Sequence, residues 1–442
     1  SVTGVQTCAL PIYILRNKSE IEIINVLNRL FPIHRSITGN GVRKSLEILS
    51  EINFFQKLEY PSGDKVFDWN IPKEWKVNSA KLMDPNGEVV CDVSKNPLHL
   101  INYSMPFKGF VDKKELEKHL YTHPELEEAI PYITSYYKKN WGFCISQKTL
   151  KNLIEGRYKV EIDTEFIDGS LTIGESIIGD KNNKEIFFSS YICHPGMAND
   201  ELCAPVALAL LARRIKSWPT KKFSYRFVLL PETIGSITYL SHKGSELKEK
   251  MVAGFSVSNI GHNENFCFKE SRNKHSLINI ILAHLLKTKY SNRSLIKPYA
   301  PVGSDERQYC SPGFDLPVGS LTRGEMFFDG YHSSHDTLDR INPDSILETV
   351  NLLEEACFIL EKNSFYKNNF PYCEPQLGKY DLYPSTGTTV EREISHLTLL
   401  WVLNYSDGEN DLLRISKISG YDFRDIYLAA TKLLKVNLIR KI

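Results

Sequence analysis

Two short segments in the middle of the chain are apolar at nearly every position: Glu185–Tyr191 (EIFFSSY) and the run YRFVLLP that ends at Pro231. Runs of this length, bounded by turn residues, predict strands buried on both faces. Between them residues 205–215 are apolar with helical character, and residues 236–250, 276–289 and 343–362 continue the helical pattern. Strands alternating with helices predict an α/β fold, a mixed sheet with helices on both faces. Upstream, Ile21, Ile23, Ile24, Leu27 and Leu30 are spaced for an amphipathic helix. The stretch HRSITGNG breaks it before a second helix at residues 42–49. From Tyr158 onward apolar and polar residues alternate (YKVEIDTEFIDGSLTIGESIIG), which predicts antiparallel edge strands of the main sheet.

The pattern changes between residues 54 and 164. WNIPKEW carries turn signals, DPNG at Asp84–Gly87 is a hairpin cue, and the short apolar segments AKLMD and EVVCDV flank it. A compact β-rich insertion with a helical segment at 113–119 is expected there. Its aromatic run, residues 130–143, is suited to lining a substrate cleft, although core packing is the commoner role of such residues. Near the end, residues 370–387 read as a linker. Three amphipathic helices at 393–403, 411–418 and 424–432 and a terminal strand then predict a winged helix. Arg414, Lys417 and Lys432 could contact DNA, but Asp407, Glu409, Asp411, Asp422 and Asp425 give the unit a mixed surface, so protein interaction or homo-oligomerisation is preferred. The expected organisation is an α/β core at 19–53 and 165–370, an insertion at 54–164 and a winged-helix unit at 376–442. Residues 1–12 (SVTGVQTCALPI) read as a fused sequencing adapter without bearing on the fold.

Composition narrows the function classes. The 442 residues carry a formal charge of +1, which argues against nucleic acid as the main partner. No apolar run approaches the roughly 18–20 residues that span a bilayer, so no membrane partner is expected. The nine cysteines are scattered without the close pairs of a zinc ribbon, and free thiols in a reducing, cytoplasmic setting are expected.

The candidate chemistry starts in YICHPGMANDELCAPVALAL, where a buried strand runs through a tight loop bearing His194 and Asp200 into an apolar helix. Glu232 follows the next buried strand, and His332 lies in YHSSHDTLDRI. Hydrolytic zinc needs about three nitrogen or oxygen ligands, an open position and a nearby carboxylate to take a proton from water. His194, Asp200 and His332 with Glu232 supply that set. Each residue alone also has an ordinary role, such as a surface pair or a carboxylate at a helix N-terminus.

Taken together, HPGMAND, PETIGS, GSDERQY, SPGFDLPVGSLTRG and YHSSHDTLDRI resemble the zinc aminopeptidase superfamily, whose core is a phosphorylase/hydrolase-like α/β fold. With FPIHRSITGNGVRKSL and DWNIPKEWKVNSAKLMDPNGEVV they resemble more closely a bacterial group with an aminopeptidase-like domain, a small insertion and a C-terminal winged helix, linked to polysaccharide biosynthesis. The resemblance implies that His194 and His332 are metal ligands and that Asp200 is the carboxylate that bridges two metals in the superfamily. His335 is a weaker alternative to His332. Two positions depart from the pattern. Thr233 replaces a ligand glutamate after the base position held by Glu232, and SNIG (Ser258–Gly261) lacks a ligand aspartate. One zinc ion is therefore expected, with Glu232 as general base or as a fourth ligand. Asp305, Arg307 and Arg323 are candidates for gripping a peptide-like or amino-sugar substrate, and salt bridges among neighbours are their other reading. Asp336 is expected to orient His332.

Overall fold

The computed structural model describes residues 9–325, 327–382 and 396–442. The chain forms two compact units, one from residues 1–280 and 292–352, the other from residues 281–291 and 353–442.

The first unit is built on an eight-stranded mixed sheet. Its strands run in the order Gln56–Pro61, Ser170–Ile178, Ser224–Leu230, Glu185–Tyr191, Met251–Val257, Val318–Arg323, Phe266–Lys269 and Ser294–Lys297. The predicted buried strands are central, and all seven residues of Glu185–Tyr191 and of Ser224–Leu230 are buried. Parallel pairing brings Phe188 opposite both Phe227 and Phe255. The three rings stack at 4.8 and 4.9 Å between centroids, so one aromatic row ties the strands together across one face. The crossover helices Cys203–Lys216 and Ile234–Lys250 each begin two residues before the predicted ones and end at, or one residue beyond, the predicted last residue.

A second sheet of four antiparallel strands, Val89–Asp92, Glu74–Met83, Arg157–Ile167 and Phe107–Asp112, belongs to the same unit. Its hairpin turns at DPNG, where the Asp84 amide donates to the Glu88 carbonyl and Gly87 takes a φ of 88°. Two expectations need correction. Gln56–Pro61, assigned to the insertion, pairs with Ser170–Ile178 at the edge of the main sheet. The alternating segment from Tyr158, expected to give edge strands of the main sheet, divides: Arg157–Ile167, most of which lies inside the expected 54–164 insertion, pairs with Glu74–Met83, and Ser170–Ile178 joins the main sheet. Alternation reports that one face is buried, and both sheets offer such a face.

The second unit has the helices His396–Tyr405, Leu412–Ser419 and Phe423–Lys435 and a three-stranded sheet with Phe365–Asn368 at its centre between Asp407–Asp411 and Ile439–Lys441. That central strand lies before residue 376, so the unit begins earlier than expected. Two of its acids serve the backbone: the Asp411 carboxylate accepts the Arg414 amide and Asp422 that of Arg424, each at 2.8 Å, capping helix N-termini. Part of the expected 370–387 linker, residues 383–387, lies outside the described residues, as do residues 1–8 of the first dozen. Residues 9–12 lie in the helix Ala9–Leu30. Among the described residues no helix is long and apolar enough to cross a membrane.

Candidate metal centre

The strands Glu185–Tyr191, Ser224–Leu230, Met251–Val257 and Val318–Arg323 are parallel and end at one edge of the main sheet. Glu185–Tyr191 sits between two strands that both follow it in the chain, so right-handed crossovers place the connecting helices on opposite faces and open a crevice at this edge. His194 follows the first strand, Glu232 the second, Ser258 and Asn259 the third, and His332 lies in the loop beyond the fourth. Residues far apart in sequence thereby meet.

His332 Nε2 stands 3.1 Å from Asp200 Oδ2. Both atoms are shielded from water, and neither has a hydrogen-bond partner. With His194 they form a group whose three ligand atoms lie within 4.8 Å of one another. A buried carboxylate oxygen and a buried imidazole nitrogen left unpaired are costly, and a cation bound between them removes that cost. Two imidazoles and one carboxylate are a donor set of the kind zinc takes. The residues present therefore fit a metal ion.

The other atoms of these ligands are engaged. His194 Nδ1 lies 2.9 Å from Glu201 Oε2, which keeps the proton on Nδ1 and presents Nε2 to the site. Asp200 Oδ1 accepts the Tyr191 hydroxyl at 2.7 Å, and burial with the Asp200 charge pushes that phenol well above its ordinary range, so it remains a donor. Glu201 is fully buried, 3.7 Å from Arg35 Nε, and Arg35 also donates to the carbonyls of His194 and Leu30 at 3.0 and 2.7 Å. The HRSITGNG loop thus reaches the site from beneath, through Arg35. Sequence reasoning missed Glu201, and its one signal was an acid directly after Asp200 ahead of an apolar helix. A π-helical turn, Ala198–Leu202, separates the two carboxylates, sending one toward His332 and the other toward His194.

Asp336 does not orient His332. Its two oxygens accept the amides of Asn199 and Asp200, each at 2.8 Å, so it holds the ligand-bearing turn instead. Burial raises its carboxyl to about 7 against those two bonds. The His332 carbonyl accepts the Tyr132 amide at 2.8 Å, and its ring stacks on Tyr331 with centroids 3.9 Å apart. His332 takes a φ of 52°, a left-handed conformation held by these contacts. His335 is not among the clustered donors of the described residues.

Glu232 keeps a partly exposed side chain and accepts the Ser304 hydroxyl at 2.7 Å through Oε1, while Oε2 lies 3.7 Å from His194 Nε2. The next residue, Thr233, has φ 63° and ψ −73°, and the Ile234 amide donates to the Glu232 carbonyl at 2.8 Å. This is the rare positive-φ γ-turn, strained for a β-branched residue. Asp305 clamps it by accepting the Thr233 amide at 2.8 Å and the Ser236 hydroxyl at 2.7 Å. Burial and the neighbouring Glu232 charge raise the Asp305 carboxyl to about 7. Asp305 is therefore a support of the turn and is too buried to grip substrate. Arg307 is half-buried, with Nη2 3.3 Å from Thr233 Oγ1 and Nε unpaired. Arg323 is withdrawn altogether. Its guanidinium is buried against Phe266, Thr349, Glu348 and the Glu264 carbonyl, because its strand pairs with Phe266–Lys269.

A cavity of about 320 Å³ opens onto His194, Glu232 and His332, walled by Ile37, Trp69, Tyr132, Thr134, Tyr136 and Tyr137. The aromatic run is thus divided. Its tyrosines face the cavity, whereas Trp141 stacks on Phe107 and His119 at 4.3 and 3.8 Å in the second sheet.

Residues 24–363 match the family described as a domain of unknown function, DUF4910. The chain belongs to that family. Residues 364–441 match a winged helix-turn-helix family. A Clostridium acetobutylicum protein, provisionally named for polysaccharide biosynthesis with an aminopeptidase-like domain, is 40% identical over 428 residues, which is 96% of this chain and 98% of its own length. The crystal structure of a provisionally named peptidase from C. acetobutylicum superimposes with a TM-score of 0.90 at 38% identity, covering 98% of this chain and 99% of that one. A zinc aminopeptidase from Bacillus subtilis aligns with a TM-score of 0.57 at 13% identity over 77% of this chain and 94% of its own. A peptidase M28 precursor from Shewanella amazonensis aligns at 0.52 and 14% identity over 78% and 96%. The DUF4910 core is thus a mixed α/β sheet of the zinc aminopeptidase type, followed by a winged helix.

Proposed function

We propose that this chain is a zinc-dependent hydrolase of an amide bond, with His194, Asp200 and His332 holding one ion and Glu232 accepting a proton from the attacking water. The observation that carries this reading is the unpaired, buried pair of Asp200 Oδ2 and His332 Nε2 beside His194. Zinc supplies Lewis acidity, polarising a carbonyl and making water nucleophilic near neutral pH. The chain's own residues do the rest. Ser304 holds one oxygen of Glu232 and leaves the other to receive the proton and pass it to the leaving amine. Glu201 and Arg35 keep His194 in its presenting tautomer. The tyrosine wall takes up the apolar faces of the substrate and excludes water. Arg307, whose Nε lacks a partner, is the remaining cation for a polar group of the substrate.

A peptide-like amide and an N-acylated amino sugar both suit an aromatic-walled cavity, and the name of the C. acetobutylicum relative favours the sugar. The winged-helix unit serves protein contacts in this reading. The deciding experiment measures zinc content together with turnover of aminoacyl and N-acyl amino-sugar substrates, in the wild type and in Glu232→Gln. One zinc per chain, with turnover lost and zinc kept in the variant, is the expected result. Zinc without turnover on any substrate means a silent binding module, and absence of zinc removes the proposed ligand set.

A further inference from the structure

The two oxygens of Asp200 have different surroundings. Oδ2 faces His332 Nε2 at 3.1 Å and has no hydrogen bond, whereas Oδ1 already accepts the Tyr191 hydroxyl at 2.7 Å. A carboxylate that bridges two metal ions gives one oxygen to each. Here one of the two is committed to a protein group. Tyr191 ends the strand Glu185–Tyr191, is 5% exposed, and packs its ring 5.2 Å from that of His194. Its hydroxyl also lies 3.4 Å from Asn259 Oδ1, on the residue after Ser258. A cation at Oδ1 therefore competes with a buried phenol for that oxygen's lone pairs and for the space beside it.

Neither Thr233 nor Ser258, the positions where the resemblance expects further carboxylate ligands, carries an acid. Thr233 and Ser258 offer neutral hydroxyls, and the hydroxyl of Thr233 lies 3.3 Å from the Arg307 guanidinium, a positive charge that repels a further cation. Anionic ligands are what hard and borderline divalent ions require at such positions.

We infer that the Tyr191 hydroxyl takes the place of a second metal ion, so that the centre is mononuclear and Asp200 is a terminal ligand through Oδ2 alone. The inference rests on the metal reading proposed above. It names Tyr191, rather than only the missing carboxylates, as what limits the site to one ion.

The test counts ions on the full-length protein. Apoprotein is titrated with cobalt(II), followed by visible absorption, and bound metal is counted after dialysis. The wild type is expected to saturate at one equivalent. Thr233→Glu combined with Ser258→Asp, with Tyr191 intact, is expected to stop at one as well. Adding Tyr191→Ala to that pair is expected to raise the count to two. Two ions on the wild type or on the double variant overturn the inference, and so does a triple variant that melts cooperatively yet holds one. No ion on the wild type overturns the metal reading beneath it. Should the triple variant fail to fold, Tyr191→Phe in the same pair keeps the ring, removes only the hydroxyl and is read by the same expected count of two.

Discussion

At the scale of single residues, the centre depends on pairs in which one group presents another. His194 is useful to a metal only while Glu201 holds its Nδ1 proton, and Glu201 is tolerable in the interior only beside Arg35. Glu201→Gln is therefore expected to weaken zinc binding by about 10–100-fold, since a partner one step behind a ligand carries that much of the affinity. Competition with a chromophoric chelator measures it, and unchanged affinity refutes the assignment. Glu232→Gln is expected to leave zinc affinity within a few-fold and to lower turnover by about 10²–10⁴, the range of a proton-transfer group.

Asp305 makes a pH prediction. Its carboxyl lies near 7 against an ordinary value of 3.8, so the folded state binds a proton that the unfolded chain has already released between those values. Stability is accordingly highest below about 4 as far as this group is concerned, and this contribution is lost as pH rises toward 7. Asp305→Asn retains the acceptor for Thr233 and Ser236 but cannot ionise. Urea unfolding at pH 5 and pH 8 is expected to show a smaller fall in stability across that window for the variant than for the wild type. Equal slopes would mean that Asp305 is ionised throughout.

At the scale of elements, the buried strands hold the ligand loops in place through their side-chain row. Phe188 is fully buried between Phe227 and Phe255, and the strand that bears it leads three residues beyond its end to His194. Phe188→Ala is expected to cost about 3–5 kcal/mol, the range for removing a packed aromatic ring. Denaturant unfolding reads this, and a loss below about 1 kcal/mol would show that the row is dispensable. The alternating segment after Tyr158 taught the opposite lesson. Period two identified the strands, but which sheet they joined depended on partners 76 to 119 residues away, beyond the reach of a local pattern.

At the scale of the whole molecule, the proposed metal ligands all lie in the first compact unit and the winged helix in the second. Chelation should then lower the melting temperature of one unit and leave the other unchanged. A ligand present at about a thousand times its dissociation constant stabilises the state that binds it by about 4 kcal/mol. Calorimetry with and without a chelator checks this, and an equal shift of both transitions would contradict the assignment of the site to one unit.

Much of this architecture was legible in the chain alone. Continuous apolar runs marked the central strands, the helical periods marked the crossovers, and His194, Asp200, Glu232 and His332 stood out because ligand chemistry admits few residue types. The pairing of strands, the burial of Arg323, the turn of Asp336 toward backbone amides, the support from Glu201 and Arg35, and the hydrogen bond of Tyr191 to Asp200 were decided only in three dimensions. The physical reason is that periodicity and residue type report what a residue prefers to bury or bind. Which partner meets it is set by sheet order and by the edge at which the strands end.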